Sequence, residues 1–185
     1  MTEKLFSELR LVGGTSLALQ YGHRSSVDLD FFGNAELDGL DVRQILMNMG
    51  KTTVIKETRN IKIYTVDDIK IDFVNYSYPW IDKEVCEENI RLASDKDIAA
   101  MKVNAIEGRG SKKDFIDIYF LLQHYTLQEI FNYYVQKYPE NSIFRALLSL
   151  TYFDDADQQL TPKMYIDVSW NEIKAFISEQ VKQYQ

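Results

Sequence analysis

Three aspartates in this sequence have the residue type and the spacing that metal binding requires. Asp28 and Asp30 alternate with apolar residues in Val27–Phe32, which is the period of a β-strand, so we expect both to project from one face. Two neighbouring carboxylates repel each other unless a cation lies between them, and Mg²⁺ takes such oxygen ligands together with phosphate oxygens. Asp72, in the strand-like run Ile69–Tyr76, would complete a two-metal site for phosphoryl transfer if the two strands are neighbours. For the Asp-x-Asp pair alone, a solvent-facing strand is the alternative interpretation.

A glycine pair precedes the aspartates at a predicted junction between a strand and a helix. The apolar run Leu9–Val12 predicts a short strand, and Thr15–Tyr21 predicts a short helix directly after Gly13 and Gly14. Free backbone N–H groups at such a helix start form a natural cradle for phosphate. A tight turn capped by Thr15 is the alternative. In this order and on these elements, the glycines and the aspartates together favour a site for a nucleotide and a metal ion.

The elements that must position these residues change character along the chain. The N-terminal half is rich in predicted strands: after a helix over Leu40–Met49 come strand-like runs at Thr52–Thr58 and Ile61–Val66, with turns at residues 59–60 and 67–68. From residue 94 the apolar period becomes 3.6. The pattern Ser/Thr-x-x-acid, typical of a capping box, marks four helix starts, at Ser94, Ser111, Thr126 and Ser169. A further helix is predicted over residues 142–152, followed by an acidic loop at 154–157.

Composition limits how a nucleic acid could be bound. The 185 residues include 21 Lys and Arg against 28 Asp and Glu, a formal net charge of -7. Such a protein does not bind nucleic acid through its overall field, so contact with RNA or a triphosphate needs a local basic patch or a metal ion. Residues 96–113 carry five basic and two acidic side chains, a local balance of +3 that suits a triphosphate or an RNA end.

The sequence predicts a cytoplasmic protein with no membrane partner. Cys86 is the single cysteine, so no internal disulfide can form and an oxidising compartment is not implied. No signal peptide is recognisable in Met1–Phe6. No window approaches the roughly 18–20 apolar residues that span a bilayer. Hydrophobic residues at 45% and charged residues at 26% are ordinary globular usage, which excludes a disordered tail or a fibrous repeat.

The pattern Gly-Gly-Thr, Asp-Leu-Asp and a third Asp resembles the signature of the nucleotidyltransferase (DNA polymerase β-like) superfamily. More narrowly, Gly13–Leu19 and Gly22–Phe32 resemble the AbiEii/AbiGii-type abortive-infection toxin family. Two later stretches, Lys102–Tyr119 and Ser149–Ala156, resemble the same family. The resemblance covers nearly the whole chain through four separated motifs in the expected order.

The resemblance implies an α+β fold. We expect a nucleotidyltransferase-like mixed or antiparallel sheet with helices in the N-terminal half and a helical bundle in the C-terminal half. Residues 1–93 would be the catalytic core and residues 94–185 a helical region packed on it. The implied activity is metal-dependent transfer of a nucleoside monophosphate from a triphosphate to an acceptor hydroxyl, with release of pyrophosphate and Mg²⁺ or Mn²⁺ as cofactor. The implied role is the toxin of a toxin–antitoxin or phage-defence pair, with a cognate antitoxin protein as partner and tRNA as one acceptor class.

The resemblance also implies roles for individual residues. Asp28 and Asp30 match the metal-binding pair, and Asp72 matches the third carboxylate, which helps bind metal and activates the acceptor hydroxyl. Lys102 matches a lysine that contacts the triphosphate, and Asp114 matches the acid of the fourth motif. The phosphate-binding loop is matched by Gly13, Gly14 and Thr15.

The residues themselves leave some of these roles open. Lys102 falls on the apolar stripe of its predicted helix, so it either snorkels to solvent or points at an anion. Asp114 is also the fourth residue of the Ser111 capping box. Asp117, one turn further on, could orient a basic partner. Two further functions stay open: nucleotidyl transfer to a small molecule, as in antibiotic-modifying relatives, and a non-catalytic nucleotide-binding or partner-binding module.

Overall fold

The computed structural model describes residues 4–35 and 37–184 and divides into two compact units. The sheet unit comprises the described residues of Met1–Ser16, Ser26–Tyr78 and Glu84–Ala93. The helical unit comprises Leu17–Ser25, Pro79–Lys83 and the described residues of Ser94–Gln185. The predicted division between residues 93 and 94, with the helical region packed on the core, stays a prediction.

A mixed sheet of seven strands forms the sheet unit within the described ranges. The strands are β1 (Arg10–Val12), β2 (Leu29–Gly33), β3 (Thr52–Glu57), β4 (Ile61–Val66), β5 (Ile69–Asn75), β6 (Val85–Glu87) and β7 (Ile90–Leu92). Their order is β3-β4-β5-β2-β1-β7-β6. β2 pairs with β5 and β1 with β7 in parallel, and all other neighbours are antiparallel. Together with the helices described in the following paragraphs, this sheet confirms the predicted α+β class.

Turn residues with positive φ connect the two tightest strand pairs. Asp67 (φ 46) and Asp68 (φ 66) join β4 to β5, as the predicted turn at 67–68 requires. Glu88 (φ 45) and Asn89 (φ 69) join β6 to β7 in the same way. The strands β6 and β7 were not predicted, because three residues each give no readable apolar alternation.

A hydrophobic core packs helix α2 (Gly39–Met47) against the sheet. The helix is capped by Asp38, whose side chain accepts hydrogen bonds from two backbone N–H groups of the first turn. Its buried Val42 and Leu46 pack with side chains of β4 and β5 such as Tyr64 and Phe73. This core fixes the positions of β4 and β5, and therefore of the strand that carries the third predicted aspartate.

Helices make up the other unit. Helix α1 (Gly13–Tyr21) starts in the sheet unit and its second half belongs to the helical unit. The rest are α3 (Asp95–Gly108), α4 (Lys112–Leu121), α5 (Leu127–Lys137), α6 (Ile143–Ser149), α7 (Asp154–Asp157) and α8 (Trp170–Tyr184). No helix among the described residues is long and apolar enough to cross a membrane.

The four predicted helix starts are found, but not all with the predicted cap. Thr126 and Ser169 exchange hydrogen bonds with the acid three residues later, as a capping box does. The Ser94 side chain accepts from a backbone N–H, whereas Ser111 makes no such bond and donates its hydroxyl to the Asp114 carboxylate. The capping-box interpretation of Ser111 is therefore wrong. The predicted acidic loop at 154–157 is instead the single turn α7, and α6 ends at Ser149 rather than near residue 152.

Candidate active site

The glycine motif and the Asp-x-Asp motif meet at the junction of β1 and α1. β1 ends at Val12, which pairs with Asp30 across the antiparallel β1–β2 ladder, and α1 begins at Gly13. Gly13 has φ +69, and a β-carbon there would lie 2.7 Å from Asp30 Oδ2. Both the backbone conformation and the close approach therefore require glycine at this position. The start of α1 lies directly against the carboxylate of the second predicted metal ligand.

The structure also brings the second and third aspartates together. Asp30 on β2 is the register partner of Asp72 on β5, and the two strands run parallel and adjacent. The two side chains therefore leave the sheet on the same face, from neighbouring strands about 4.8 Å apart. Asp72 Oδ1 is buried and has no hydrogen-bond partner among the described residues, while Oδ2 accepts from Lys70 Nζ at 2.5 Å. The two strands are therefore neighbours, which is the condition under which Asp72 was expected to complete the site.

Asp28 lies one residue before β2, on the loop that enters the strand. The predicted strand began at Val27, so the first aspartate is a loop residue rather than a strand residue. The Thr15 hydroxyl donates to the backbone carbonyl of Asp28 and lies 2.8 Å from the Ser26 hydroxyl. Thr15 therefore ties the start of α1 to this loop, which differs from the predicted alternative of a helix cap.

The carboxylates fit a hard divalent cation by their chemistry. Asp30 and Asp72 offer oxygens side by side, and the buried Oδ1 of Asp72 is an acceptor that no donor in residues 4–35 or 37–184 satisfies. Among the described residues, however, no three His, Cys, Asp or Glu side chains are grouped so that they could hold a metal together. The complete set of Asp28, Asp30 and Asp72 as metal ligands stays a prediction.

The helical unit holds the other two predicted site residues in a buried ion pair. Lys102 on α3 is 5% exposed and Asp114 on α4 is 1% exposed. The Lys102 ammonium lies 2.8 Å from Asp114 Oδ1 and 2.6 Å from Asp117 Oδ2. Of the two predicted alternatives, Lys102 does not snorkel to solvent but points at anions, and in this structure those anions are two carboxylates. Its contact with a triphosphate stays a prediction.

Asp117 is the centre of a larger group of charges that the sequence did not reveal. Arg24 donates to it twice, from Nε at 2.7 Å and from Nη2 at 2.8 Å, and His23 Nε2 lies 2.9 Å from Asp117 Oδ1. We call these three residues together with Lys102 and Asp114 the buried charge cluster. In the sequence, Asp117 stands between two isoleucines on an apolar helix face, which indicates a buried acid. The sequence predicts a basic partner for it but does not identify Arg24 or His23.

Mutual charge keeps Lys102, Asp114 and Asp117 ionised. Burial acts to raise the pKa of Asp114, but Lys102 and Arg109 outweigh it and lower that pKa to about 2. Burial acts in the same direction on Asp117, and the cations around it lower its pKa well below the usual range. Burial acts to lower the pKa of Lys102, and the two aspartates raise it above the ordinary value. The two carboxylates and the ammonium are therefore all charged at neutral pH.

Four of the five basic side chains in the stretch 96–113, whose balance of +3 suits a triphosphate or an RNA end, have partners within the protein. Lys96, Lys102 and Arg109 are each paired with acidic side chains. Lys112 is buried, and its ammonium donates to a backbone carbonyl at 2.5 Å. Lys113 is the one basic residue of the five for which the described part of the chain provides no ion pair or hydrogen bond.

The same fold occurs in known nucleotidyltransferases. MenT4, a nucleotidyltransferase toxin from Mycobacterium tuberculosis, superposes with a TM-score of 0.59 over 98% of this chain and 76% of its own, at 12% identity. The antibiotic-resistance factor ANT(2'')-Ia superposes with a TM-score of 0.51 over 69% of this chain and 80% of its own, also at 12% identity. At these identities the likeness establishes the fold alone.

Sequence comparison establishes the family. An uncharacterized protein of Aquifex aeolicus (strain VF5) is 35% identical over 188 residues, which cover 96% of this chain and 88% of that protein. Residues 1–182 match the family described as "Nucleotidyl transferase AbiEii toxin, Type IV TA system". With the Gly13–Asp30 contact and the Asp30–Asp72 pair in place, the chain belongs to this family of nucleotidyltransferase toxins.

Proposed function

We propose that this nucleotidyltransferase moves a nucleoside monophosphate from a nucleoside triphosphate to an acceptor hydroxyl, with Mg²⁺ or Mn²⁺ held by Asp28, Asp30 and Asp72. The observation that carries the proposal is the pairing of Asp30 with Asp72 on adjacent parallel strands, directly against Gly13 at the start of a helix. A divalent ion bound by these oxygens would neutralise charge on the phosphate groups.

The start of α1 would bind the phosphates. Its first N–H groups, from Gly13, Gly14 and Thr15, have no partner within the helix, and the helix dipole adds partial positive charge there. Gly13 also removes the β-carbon that would otherwise displace the Asp30 carboxylate. The same short segment would thus offer donors to phosphate oxygens while it leaves the carboxylate in place.

Asp72 would act on the acceptor. Its Oδ1 has no hydrogen-bond donor in the described structure, so it can accept a hydrogen bond, and then the proton, from an incoming hydroxyl. The acceptor oxygen forms its bond to the α-phosphorus in line with the bond that breaks, and pyrophosphate leaves with the bridging oxygen. Positioning and charge neutralisation would supply most of the rate enhancement.

Lys102 and Asp114 would contribute to nucleotide binding. Two of the three ammonium donors of Lys102 are used by Asp114 and Asp117, which leaves one donor for a triphosphate oxygen. Asp114 would then hold that ammonium in place. We retain the triphosphate contact of Lys102 as part of the proposal on the strength of this remaining donor.

For the acceptor we propose the end of a tRNA, and for the biological role the toxin of a type IV toxin–antitoxin pair with a cognate antitoxin. The family description supports the toxin–antitoxin role. The shared fold with the antibiotic-resistance factor ANT(2'')-Ia supports a second candidate, transfer to a small-molecule antibiotic. Incubation with labelled triphosphates and Mg²⁺, using total tRNA in one arm and an aminoglycoside panel in the other, distinguishes the two acceptors.

The catalytic assignment is tested with Asp30→Asn. Because the substitution keeps the shape but removes the carboxylate charge beside Gly13, we expect labelled transfer and pyrophosphate release to fall by at least about 100-fold. Asp41→Asn, an exposed acid on α2, is the matched control for charge and should transfer at the wild-type rate. Chelation by EDTA should stop transfer by the wild type. Wild-type transfer by Asp30→Asn would refute the proposed site.

A further inference from the structure

A protein cation lies inside the proposed carboxylate site. Lys70 Nζ is 2.5 Å from Asp72 Oδ2, and the two residues are two positions apart on β5, so they share one face of the sheet. This is the only hydrogen bond that Asp72 accepts from the described residues, because its other oxygen is buried without a partner. Lys70 has no place in the site that the sequence predicted, and no role was assigned to it.

The strand register places Lys70 beside the Asp30–Asp72 pair. Pairing between β2 and β5 joins Asp30 to Asp72 and starts one residue before them on both strands. The residues that precede this first pair are Asp28, on the loop before β2, and Lys70, on β5. The lysine therefore stands at the same end of the paired strands as the Asp30–Asp72 pair, with its ammonium on the Asp72 carboxylate.

Lys70 is free to leave this position, whereas Asp72 is not. The Lys70 side chain is 41% exposed and the Asp72 side chain 16% exposed. An ammonium on a flexible four-carbon stem can move into solvent at little cost, while a strand carboxylate in register with its neighbours stays where it is. A divalent ion carries twice the charge of the ammonium and is the stronger partner for the same oxygen.

We propose that Lys70 is a positioning residue that orients Asp72 and competes with the divalent ion for Asp72 Oδ2. This inference rests on the proposed function. Lys70 holds the carboxylate in place before a metal ion binds and weakens the binding of a bare metal ion. It leaves when a metal ion arrives with a triphosphate whose phosphate contacts add binding energy. The lysine thereby makes the site favour the metal–nucleotide complex over free metal.

Titration of the full-length protein with Mn²⁺ alone, followed by the electron paramagnetic resonance signal of free Mn²⁺, tests the competition without any turnover. Removal of one positive charge about 5 Å from a divalent ion in a water-like dielectric should tighten Mn²⁺ binding about tenfold in Lys70→Met. Lys70→Arg keeps the charge and should restore a dissociation constant within about twofold of wild type. Lys56→Met, an exposed lysine of β3, is the control for net charge and should also stay within about twofold.

Turnover provides a second readout that a purely structural role would not reproduce. Lys70→Met should lower kcat at saturating Mg²⁺-triphosphate, because Asp72 loses its orienting donor, while the same variant binds bare Mn²⁺ more tightly. Opposite changes in metal affinity and kcat are the signature of the competition. Lys70→Arg should recover most of the lost kcat.

Each outcome separates this inference from the function on which it rests. If Asp30→Asn loses Mn²⁺ binding but Lys70→Met binds Mn²⁺ no tighter than Lys56→Met does, the competition is refuted and the metal site stands. If Mn²⁺ binding is unchanged in Asp30→Asn, or is absent from wild type and Lys70→Met alike, both the metal assignment and the inference are overturned.

Discussion

Replacement of Asp117 by asparagine should destabilise the protein severely, because it removes the central negative charge of the buried charge cluster. Asp117 is fully buried and accepts four contacts of 2.6–2.9 Å, two from Arg24, one from His23 and one from Lys102. Asparagine keeps the volume of the side chain, but its amide nitrogen is a hydrogen-bond donor and would face the donors of Arg24 and Lys102. Asp114 would then be the single carboxylate left to balance the buried guanidinium and ammonium.

The expected loss follows from this uncompensated charge. Removal of one partner from a buried, hydrogen-bonded ion pair costs about 3–5 kcal/mol, because the remaining charge stays buried. Total stabilities are about 5–15 kcal/mol, so this is a large share of the folding free energy. With a urea m-value of about 2 kcal/mol/M, the unfolding midpoint should fall by roughly 1.5–2.5 M.

Equilibrium urea unfolding, followed by far-UV circular dichroism, measures the change. Asp157→Asn is the matched control, since Asp157 pairs with Lys174 at the surface at 2.8 Å, where solvent screens the charges, and its unfolding midpoint should fall far less than that of Asp117→Asn. Lys102→Met combined with Asp117→Asn should lose less than the sum of the single variants, because the two side chains are in direct contact. A loss for Asp117→Asn no larger than that of the control would show that the cluster does not depend on this charge.

Two further predictions concern the glycine at the site and the acid stability of the cluster. Gly13→Ala and Gly22→Ala should each cost about 1 kcal/mol of stability, because each puts a β-carbon on a left-handed backbone. Only the β-carbon of the Gly13 variant meets Asp30, so only this variant should lose about 100-fold in kcat/KM. Equal activity of the two variants in the labelled-triphosphate assay would contradict the assigned contact. The folded-state pKa of Asp114, about 2, lies below its unfolded value. Its contribution to the free energy of unfolding, about 2 kcal/mol, is therefore present above about pH 4 and is lost as the pH falls through 2. Urea midpoints measured from pH 5 to pH 2 should fall less steeply for Asp114→Asn than for wild type.

Local pattern was enough to predict the elements with strong periodicity or strong turns. The bounds of β4 (Ile61–Val66) agree with the prediction because turn residues stand at both of its ends. The short strands β6 and β7 bury little besides Leu92, so neither produces the alternation that identifies a strand. Residues 154–157 were predicted as a loop because acidic residues dominate them, yet the buried Ala156 anchors them as one helical turn.

The site was predictable where motif and strand period agree, and not where distant segments meet. Alternation predicted that Asp30 lies on a strand, but its neighbour depends on the pairing of β2 with β5, which no local signal specifies. Arg24 and Asp117 are 93 positions apart, and no spacing rule links a loop arginine to a helix aspartate. Contacts of that kind arise from the packing of the whole unit.

The separation between His23 and Asp117, 94 positions in the chain, has a consequence for synthesis on the ribosome. At about 5–20 residues per second, the imidazole and the neighbouring guanidinium are made roughly 5–20 s before the carboxylate to which they hydrogen-bond. The Leu17–Ser25 segment of the helical unit therefore cannot complete its packing until α4 has left the exit tunnel. A nascent chain that stops short of α4 would keep two basic side chains without their buried acceptor, which makes truncated products targets for proteolysis.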